Sequence, residues 1–371
     1  MGKIKILHAA DLHLDSPFQA LSAAKAAIRR AEQRELLGRL SELAAIEQVD
    51  LVLLSGDLLD SSTPYTETAQ ELVRHLGHIN APVFISPGNH DYYSHRSPYA
   101  RIKFPANVHI FTKNEIEYFE LPEISARVYG AAFTDIESKG LLCCFHGEKL
   151  AGFRNIMCIH GDVCAGESRY NPITEKEIAD SGMDYVALGH THKASGLKKA
   201  GNVFYSWPGC PEGRGFDECG DKFVNIIELD DGSCELRQVS IACRSYDILK
   251  LDISGSDAMT ELHKALPDDS VKDVYRVVFT GETDTAPDLH RLYSSFSELF
   301  FELQLRDETH LRRSLWESAG EDTLRGLFLS KLKSRYDRCT DSLERTKIEQ
   351  AARWGLAALD NMEEVVCHGD K

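Results

Sequence analysis

Short apolar runs rich in β-branched residues alternate with longer helix-like runs up to about Ala106. The run KIKILHAA is followed by the Ala- and Arg-rich stretch SAAKAAIRRAEQRELLGRLSELAAI and then by VDLVLLSGD. The alternation continues with ETAQELVRHLGHI and APVFISPG. This βαβαβ order is typical of a layered sheet with covering helices, so the sequence predicts an α/β fold.

Beyond Ala106 the apolar runs become strand-like with shorter connections, among them ARVYGAAF, NIMCIHGD, DYVALGH and KFVNIIEL. These runs predict a second, mixed or antiparallel sheet packed on the first. The stretch SGSD at 254–257 marks a boundary, which gives a first domain at 1–250 and a smaller α+β unit at 251–310. From 311 to 371 apolar residues recur near helical spacing, which predicts a helical tail.

Length and composition describe an ordinary globular protein. The 371 residues are 43% hydrophobic, enough for two or three domains, and no apolar run is long enough to cross a membrane. The acid Asp11 comes too early for a signal peptide, so a cytoplasmic location is expected. Ten scattered cysteines without a CxxC pair predict reduced thiols rather than a disulfide framework or a zinc ribbon.

Five successive β-rich runs end in residue types that bind metals. A single such pair arises often by chance, and a lone histidine at a strand end is usually a hydrogen-bonded structural residue. Their joint occurrence at strand ends, where open α/β sheets keep their chemistry, predicts one shared site. The groups are Asp11-Leu12-His13, Gly56-Asp57-Leu58-Leu59-Asp60, Gly88-Asn89-His90-Asp91, His160-Gly161-Asp162 and Gly189-His190-Thr191-His192.

This mixture of carboxylate oxygen, amide oxygen and imidazole nitrogen suits Mn, Fe or Zn better than Mg alone. The ligands are too many for one tetrahedral metal. They fit two metals about 3.5–4 Å apart that share one carboxylate, clamp a phosphoryl group and lower the pKa of a bridging water. Asp57, which follows a glycine in a turn, is the candidate shared carboxylate.

The motifs DLH, GDLLD, GNHD, HGD and GHTH, in this order, resemble the five signatures of the calcineurin-like metallophosphoesterases over residues 4–230. The stretches HAADLHLDSPF and WPGCPEGRGFDE are similar to the bacterial DNA repair exonuclease branch, which includes the nuclease subunit of SbcCD and YhaO-like relatives. The resemblance implies a four-layer β-sandwich flanked by helices, with a smaller α+β capping domain and the helical tail.

The same resemblance implies roles for individual residues. His90 would remain unligated and donate a proton to the leaving oxygen, oriented by Asp60. Apart from the resemblance, Asp91 is expected either to cap the following turn or to touch the site, and His8, Asp15 and Asp162 are expected to be structural. One divalent metal, with Mn²⁺ favoured over Fe or Zn, would be held by Asp11, His13, Asp57 and His192, and the other by Asp57, Asn89, His160 and His190.

The resemblance favours a DNA phosphodiesterase, an exonuclease with endonuclease activity left open, that acts in DNA repair together with an SMC-like ATPase subunit. This partner would bind the helical tail. A homodimer stays open, and no membrane contact is expected. The net charge of −16 speaks against a protein that coats nucleic acid, and the basic clusters at 29–34 and 331–338 are modest. The alternatives are a small-molecule or cyclic-nucleotide phosphodiesterase on the same metals and a non-catalytic scaffold.

Overall fold

The computed structural model describes residues 2–61, 63–164, 166–268, 270–283, 285–311 and 315–359. Over these described residues, the chain forms two compact units. The first comprises Met1–Leu249, Leu266–Val277 and His290–Leu305, and the second comprises Lys250–Ala265, Val278–Leu289 and Arg306–Lys371. The expected divisions after 250 and 310 do not coincide with these units, since two later segments fold with the first 249 residues.

The described strands are numbered in chain order. They are β1 (Ile4–Ala9), β2 (Leu51–Leu54), β3 (Val83–Ile85), β4 (Val108–Ile110), β5 (Glu117–Leu121), β6 (Ala126–Gly130), β7 (Arg154–His160), β8 (Tyr185–Gly189), β9 (Lys198–Ala200), β10 (Val203–Ser206), β11 (Val224–Asp230), β12 (Ser233–Val239), β13 (Tyr246–Asp252), β14 (Val274–Thr280), β15 (Glu282–Thr283), β16 (Glu302–Asp307) and β17 (His310–Leu311).

The described helices are numbered in the same way, and none of them combines the length and apolar composition that a transmembrane helix needs. They are α1 (Ala23–Glu47), α2 (Thr66–Gly77), α3 (Pro98–Arg101), α4 (Glu175–Asp180), α5 (Ala258–Lys264), α6 (Leu289–Phe296), α7 (Leu324–Arg338) and α8 (Ser342–Leu359).

Two six-stranded sheets form the body of the first unit. One has the order β12-β11-β1-β2-β3-β4, with β1 to β4 parallel and β11 antiparallel to β1. The other has the order β5-β6-β7-β8-β10-β9, with β6, β7, β8 and β10 parallel. The fold is therefore mixed α/β, as the alternating runs predicted, and the second sheet is mixed.

Alternation along the strands divides the core into layers. In β1, Ile4 and Ile6 pack between the two sheets, while Leu7 packs beneath α1 and α2. In β7, Ile156 faces the layer between the sheets and Met157 faces the core on the other side. Because successive strand residues point to opposite faces, each sheet is apolar on both sides, which produces the expected sandwich flanked by helices.

Helix α1 follows from its local sequence. Ser22 caps the first turn by accepting a hydrogen bond from Lys25 N, and the helix ends at Gln48, which has a left-handed backbone conformation. Its leucines Leu36, Leu37 and Leu40 are fully buried in the core beneath the first sheet. The helix returns the chain from the end of β1 to the start of β2, so the ends of both strands are left free for polar loops.

The second unit contains the paired strands β15 and β17 and the helices α5, α7 and α8. Strands β13, β14 and β16 form a separate three-stranded sheet. Helices α7 and α8 pack against each other, with Gly355 of α8 against the Phe328 ring of α7. The predicted tail thus contains two helices, and its residues 312–314 and 360–371 lie outside the described part of the chain.

Candidate metal centre

The predicted ligands lie at the carboxyl ends of five strands. In the first sheet, Asp11 and His13 follow β1, Asp57 follows β2, and Asn89 and His90 follow β3. In the second sheet, β7 ends at His160, while His190 and His192 follow β8. The two sets of strand ends meet at one edge of the sandwich, and this convergence builds the site.

One group of ligand atoms belongs to Asp11, His13 and His192, which lie within 4.8 Å of one another. The Nε2 atoms of His13 and His192 are 3.2 Å apart. The Asp57 carboxylate lies beside this group, with its Oδ2 atom 3.8 Å from His13 Nε2. These are the four residues expected to hold the first metal.

A second group comprises Asp11, Asp57 and His160, again within 4.8 Å. His160 Nε2 is 3.4 Å from Asp57 Oδ2 and 3.1 Å from Asn89 Oδ1. The His190 ring lies edge-on to His160 with centroids 5.2 Å apart. The Oδ2 atom of Asp57 therefore faces both groups, as a shared ligand must.

Three glycines allow the ligand loops to approach closely. A Cβ on Gly88 would lie 2.3 Å from Asp57 Oδ1, and one on Gly56 would lie 2.3 Å from His160 Nδ1. A Cβ on Gly189 would lie 1.9 Å from the backbone oxygen of Ser55. The glycines in GDLLD, GNHD and GHTH are thus required because the neighbouring loop occupies the space of a side chain.

Several ligands also have left-handed backbone conformations, which are uncommon outside glycine. The φ angles are 54° at Asp11, 50° at Asp57 and 92° at His190. The strain is stabilised by bonds between loops: the His190 amide donates to Asp11 Oδ1 (3.0 Å), and the His90 amide donates to Asp57 Oδ1 (2.9 Å). Strained backbone held in this way is characteristic of functional sites.

The imidazole rings are oriented by bonds at Nδ1. His13 Nδ1 lies 3.1 Å from Asp60 Oδ1, and His160 Nδ1 lies 2.9 Å from the backbone oxygen of Ser55. His192 Nδ1 lies 2.7 Å from Glu218 Oε1. Because each Nδ1–H is directed to an oxygen, each Nε2 lone pair is directed into the site.

Asp60 was expected to orient His90, and the structure instead places its carboxylate on His13. The physical reason is the backbone: the Asp60 amide donates to Leu14 O at 3.0 Å, which draws this residue to the segment that carries His13. Asp60 Oδ1 also lies 3.3 Å from Arg214 Nη1. Sequence spacing alone could not choose between two histidines on different loops.

The electrostatics of the site favour positive charge. Burial acts to raise the pKa of Asp57, but the neighbouring His160 and His13 outweigh it and hold that pKa far below its usual range. Burial acts to lower the pKa of His160, but the Asp57 carboxylate outweighs it and raises that pKa to about 9. A buried carboxylate that stabilises the positive charge of protonated imidazoles would also stabilise a metal cation bound to the neutral rings.

The residues fit a pair of divalent cations. With Nδ1 of His13 and His192 directed to carboxylates, two lone-pair acceptors face each other at 3.2 Å, an arrangement that a cation between them would satisfy. The donor set mixes carboxylate, amide and imidazole groups, as Mn, Fe or Zn sites do. The assignment of particular ligands to each ion stays a prediction.

Comparison with known proteins identifies the family. A family model described as calcineurin-like phosphoesterase matches residues 4–194. The chain belongs to this family. Calcineurin-like phosphoesterases hydrolyse phosphoester bonds and use a dinuclear metal centre, and the strand-end groups of this chain are candidate ligands for such a centre.

Three curated relatives are similar at modest identity. The chain is 28% identical over 287 residues to the uncharacterized metallophosphoesterase YhaO of Bacillus subtilis, covering 71% of this chain and 67% of the relative. It is 23% identical over 298 residues to the DNA double-strand break repair protein Mre11 of Saccharolobus solfataricus (75% and 76%). It is 24% identical over 271 residues to a subunit of nuclease SbcCD from Bacillus subtilis (62% and 67%).

His90 lies at the rim of this phosphoesterase site with an exposed side chain. Its ring is edge-on to His13 with centroids 4.8 Å apart, and one of its nitrogens is within 4.8 Å of ligand atoms of His13 and Asp57. The ring thus reaches both the metal ligands and the open side of the site. Its role as an unligated proton donor stays a prediction.

Two further acidic residues, Asp91 and Asp15, support the loops of the site. Asp91 is buried and accepts hydrogen bonds from the amides of Leu58 and Gly88 at 2.7 and 2.8 Å, which ties the GNHD turn to the GDLLD turn. Asp15 accepts from Thr68 Oγ1 at 2.5 Å and from the Tyr65 amide at 2.8 Å. Both residues therefore accept hydrogen bonds that hold loops in position.

Arg214 and Glu218 are site residues that the sequence did not single out. They lie in the stretch WPGCPEGRGFDE, which entered the sequence interpretation only as a mark of family. Another such residue is Asn171, whose Nδ2 donates to His160 O at 2.8 Å. Arg214 and Glu218 could have been noticed in the sequence as two opposite charges four residues apart. Nothing in the sequence around Asn171 indicated its role.

Proposed function

We propose that this phosphoesterase is a dinuclear-metal DNA phosphodiesterase, an exonuclease that acts in DNA repair. The observation that carries the hydrolytic part is the position of Asp57 Oδ2, which lies 3.8 Å from His13 Nε2 and 3.4 Å from His160 Nε2. The DNA part is supported by similarity to proteins named as a double-strand break repair protein and a nuclease subunit.

The residues of the chain would divide the work. Asp11, His13, Asp57 and His192 would hold one ion, and Asp57, Asn89, His160 and His190 the other. Two divalent cations, which we propose to be Mn²⁺, would lower the pKa of a water molecule and neutralise charge on the phosphoryl group. His90, exposed at the rim, would donate a proton to the leaving oxygen.

The two basic clusters of the sequence, at 29–34 and 331–338, differ in how their residues are buried. Arg29 does not belong to a basic surface patch, because it is fully buried and its Nη1 lies 2.5 Å from Glu212 Oε1 and 2.6 Å from Glu32 Oε2. The cluster Lys331, Lys333, Arg335 and Arg338 is exposed on α7.

An ATPase partner is supported by apolar exposure on the tail helices. Leu324 and Leu327 of α7 are 71% and 58% exposed, and Leu343 and Trp354 of α8 are 66% and 46% exposed. Exposed apolar side chains on a pair of helices resemble the apolar anchors that dock into a partner's groove. We propose that α7 and α8 bind an SMC-like ATPase subunit.

The decisive assay compares substrates on one preparation. Purified protein with Mn²⁺ is incubated with end-labelled linear duplex, with single-stranded DNA and with bis-p-nitrophenyl phosphate, and an Asp57→Ala variant controls for contaminating nuclease. The proposal expects DNA cleavage that the variant lacks. Hydrolysis of the small diester without any DNA cleavage would instead favour the rival function, a small-molecule or cyclic-nucleotide phosphodiesterase on the same centre.

A further inference from the structure

Arg214 and Glu218 form a tightly paired unit next to the metal centre. Arg214 Nη2 and Nε lie 2.6 and 3.2 Å from the two oxygens of the Glu218 carboxylate, which makes the pair bidentate. The Arg214 amide also donates to Glu218 Oε2 at 2.9 Å. The Glu218 side chain is only 4% exposed and that of Arg214 is 19% exposed, so water screens the pair weakly.

The pair reaches both histidines of one predicted metal group. Glu218 Oε1 lies 2.7 Å from His192 Nδ1, and Arg214 Nη2 lies 3.2 Å from the same nitrogen. On its other side, Arg214 Nη1 lies 3.3 Å from Asp60 Oδ1, and that oxygen lies 3.1 Å from His13 Nδ1. One guanidinium therefore joins the two carboxylates that face the Nδ1 atoms of His13 and His192.

The loop that carries the pair is itself held by a buried ion network. The backbone oxygen of Gly213 accepts a hydrogen bond from Arg29 Nη2 at 3.1 Å, and Arg29 is fully buried. The preceding Glu212 lies 2.5 Å from Arg29 and 3.2 Å from Arg39. Since both arginines belong to α1, the loop is fixed to the main helix of the first unit.

We infer that Glu218 and Asp60 select the tautomers of His192 and His13 that can bind metal, and that Arg214 holds both carboxylates in place. These three are positioning residues, and the inference rests on the dinuclear site of the proposed function. A carboxylate can only accept, so each Nδ1 must carry a proton, and in the neutral ring, the form that binds metal, the lone pair is then at Nε2. Those two Nε2 atoms are the ones that face each other at 3.2 Å.

Arg214 alone would have the opposite effect on His192. A guanidinium can only donate, so Arg214 without Glu218 would donate to Nδ1 and move the ring proton to Nε2. The ring would then present N–H where the metal needs a lone pair. Loss of Glu218 alone should therefore weaken Mn²⁺ binding more than loss of both Arg214 and Glu218. A merely structural ion pair would not produce this order.

The test is Mn²⁺ titration of the full-length chain by calorimetry, without any substrate. Glu218→Leu should lower the Mn²⁺ affinity of one of the two sites by about 10–100-fold, the usual effect of losing a residue that hydrogen-bonds to a metal ligand. Glu218→Gln, whose amide oxygen still accepts from Nδ1, should bind Mn²⁺ more tightly than Glu218→Leu. The double variant Arg214→Leu/Glu218→Leu should also bind more tightly than Glu218→Leu, because the competing donor is gone.

The matched control is Glu137→Leu, which breaks a surface ion pair with Arg169 (3.1 Å) whose side chains are 57% and 77% exposed. It should bind Mn²⁺ like the wild type. Arg214→Leu keeps the accepting carboxylate and should bind Mn²⁺ more tightly than Glu218→Leu. If circular dichroism shows that Glu218→Leu does not fold, Glu218→Gln is compared with Arg214→Leu instead. The two variants should then bind Mn²⁺ with similar affinity.

Three results would overturn the inference. The first is a Glu218→Leu variant with wild-type Mn²⁺ affinity, and the second is a double variant that binds Mn²⁺ no more tightly than Glu218→Leu. The third applies if Glu218→Leu does not fold, and it is a Glu218→Gln variant that binds Mn²⁺ far more weakly than Arg214→Leu. A wild-type chain that binds no Mn²⁺ would overturn the metal site and the inference together. Two Mn²⁺ ions bound by the wild type without any DNA cleavage would contradict the proposed function and leave this inference standing.

Discussion

At the scale of single residues, His90 separates proton donation from metal binding. His90→Ala should keep the metals, because all seven predicted ligands remain, and should lower turnover by about 10²–10⁴-fold, the usual effect of losing a general acid. The loss should be smaller on bis-p-nitrophenyl phosphate, whose leaving group needs no protonation. Steady-state rates on DNA and on this diester, with metal content measured on the same samples, provide the comparison.

Equal losses on both substrates would contradict the role of His90 as proton donor. Loss of bound metal in His90→Ala would point to a ligand role, which the closeness of the ring to His13 and Asp57 permits. A control is His95→Ala, since His95 is an exposed residue in the same loop region and was not placed in the site. That variant should retain both metals and wild-type rates.

His8 links stability to pH. Its ring is fully buried between Tyr185 OH (2.9 Å) and Leu188 O (3.1 Å), and burial lowers its pKa to about 3. Below pH 6.5 the unfolded chain binds a proton at this residue that the folded chain does not. The stability that His8 contributes is therefore present above pH 6.5 and is lost as the pH falls toward 3.

The measurement is denaturant unfolding of the wild type and His8→Gln at pH 7 and pH 5. Relative to His8→Gln, the wild type should lose about 2 kcal/mol of unfolding free energy between pH 7 and pH 5. This figure follows from about 1.36 kcal/mol for each pH unit below the pKa of the unfolded chain. Other titrating groups cancel in the difference. A difference that does not change with pH would mean that the pKa of His8 is the same in the folded protein as in the unfolded chain.

Residue by residue, the sequence predicted those site members that stand directly after strands. Asp57 and Asn89 were identified because a Gly-preceded polar residue interrupts a buried run. The contacts by which Asp60 and Glu218 support the histidines were not predicted, because each contact depends on which distant loop packs against the carboxylate. Asp60 lies 47 residues from His13, and nothing in the spacing distinguishes that ring from His90.

At the scale of elements, the close approach of β8 to β2 decides the shape of the site. Gly189→Ala would place a Cβ 1.9 Å from Ser55 O and 2.9 Å from His160 Nδ1. Backbone cannot yield as a flexible side chain does, so the two strand ends must separate and His160 must move. We expect weaker Mn²⁺ binding and a stability loss of about 1–3 kcal/mol, typical of overpacking.

Gly166→Ala is the matched control, because an added Cβ there meets nothing within 4 Å. It should leave the melting temperature and Mn²⁺ binding unchanged. If Gly189→Ala bound Mn²⁺ as tightly as this control, the glycine would not be needed for the approach of the two sheets. Calorimetry and thermal melts on both variants provide the two readouts.

The elements were predicted best where local pattern decides. The βαβαβ start is confirmed, with α1 at Ala23–Glu47 and α2 at Thr66–Gly77 between the first three strands. The strand from KFVNIIEL exists as β11, but it leaves the second sheet and pairs antiparallel with β1, where Ile6 faces Ile227. Sheet membership depends on contacts between residues more than 200 positions apart, which periodicity does not encode.

At the scale of the whole molecule, the first compact unit is not a simple N-terminal segment. Within that unit, the Arg244 guanidinium lies 3.6 Å from the Phe301 ring, and Lys25 Nζ lies 2.6 Å from Glu302. The Ser245 amide donates to Asp273 Oδ1 at 2.6 Å. The predicted break after residue 250 would therefore remove contacts that the phosphoesterase body makes with later parts of the chain.

Two truncations test this organisation. A chain ending at Gly255 loses Val277, Phe300 and Leu303, which are 0%, 4% and 2% exposed in the full protein. At about 1.5–3 kcal/mol for each buried apolar side chain, its stability should fall by several kcal/mol. A chain ending at Asp322 keeps these residues and, of the described helices and strands, loses α7 and α8. It should therefore melt close to the full chain and retain Mn²⁺ binding and hydrolysis of bis-p-nitrophenyl phosphate.

The same pair of truncations separates catalysis from partner docking. If α7 and α8 bind an ATPase, the chain ending at Asp322 should cleave duplex DNA unaided and should lose the ATPase in a pull-down, because the exposed Leu327 and Trp354 are gone. The substitutions Leu327→Ser and Trp354→Ser in the full chain should reproduce that loss without a change in hydrolysis. A Gly255 truncation as stable as the full chain would contradict the interleaved unit, and a pull-down unaffected by either change would remove the helices from the interface.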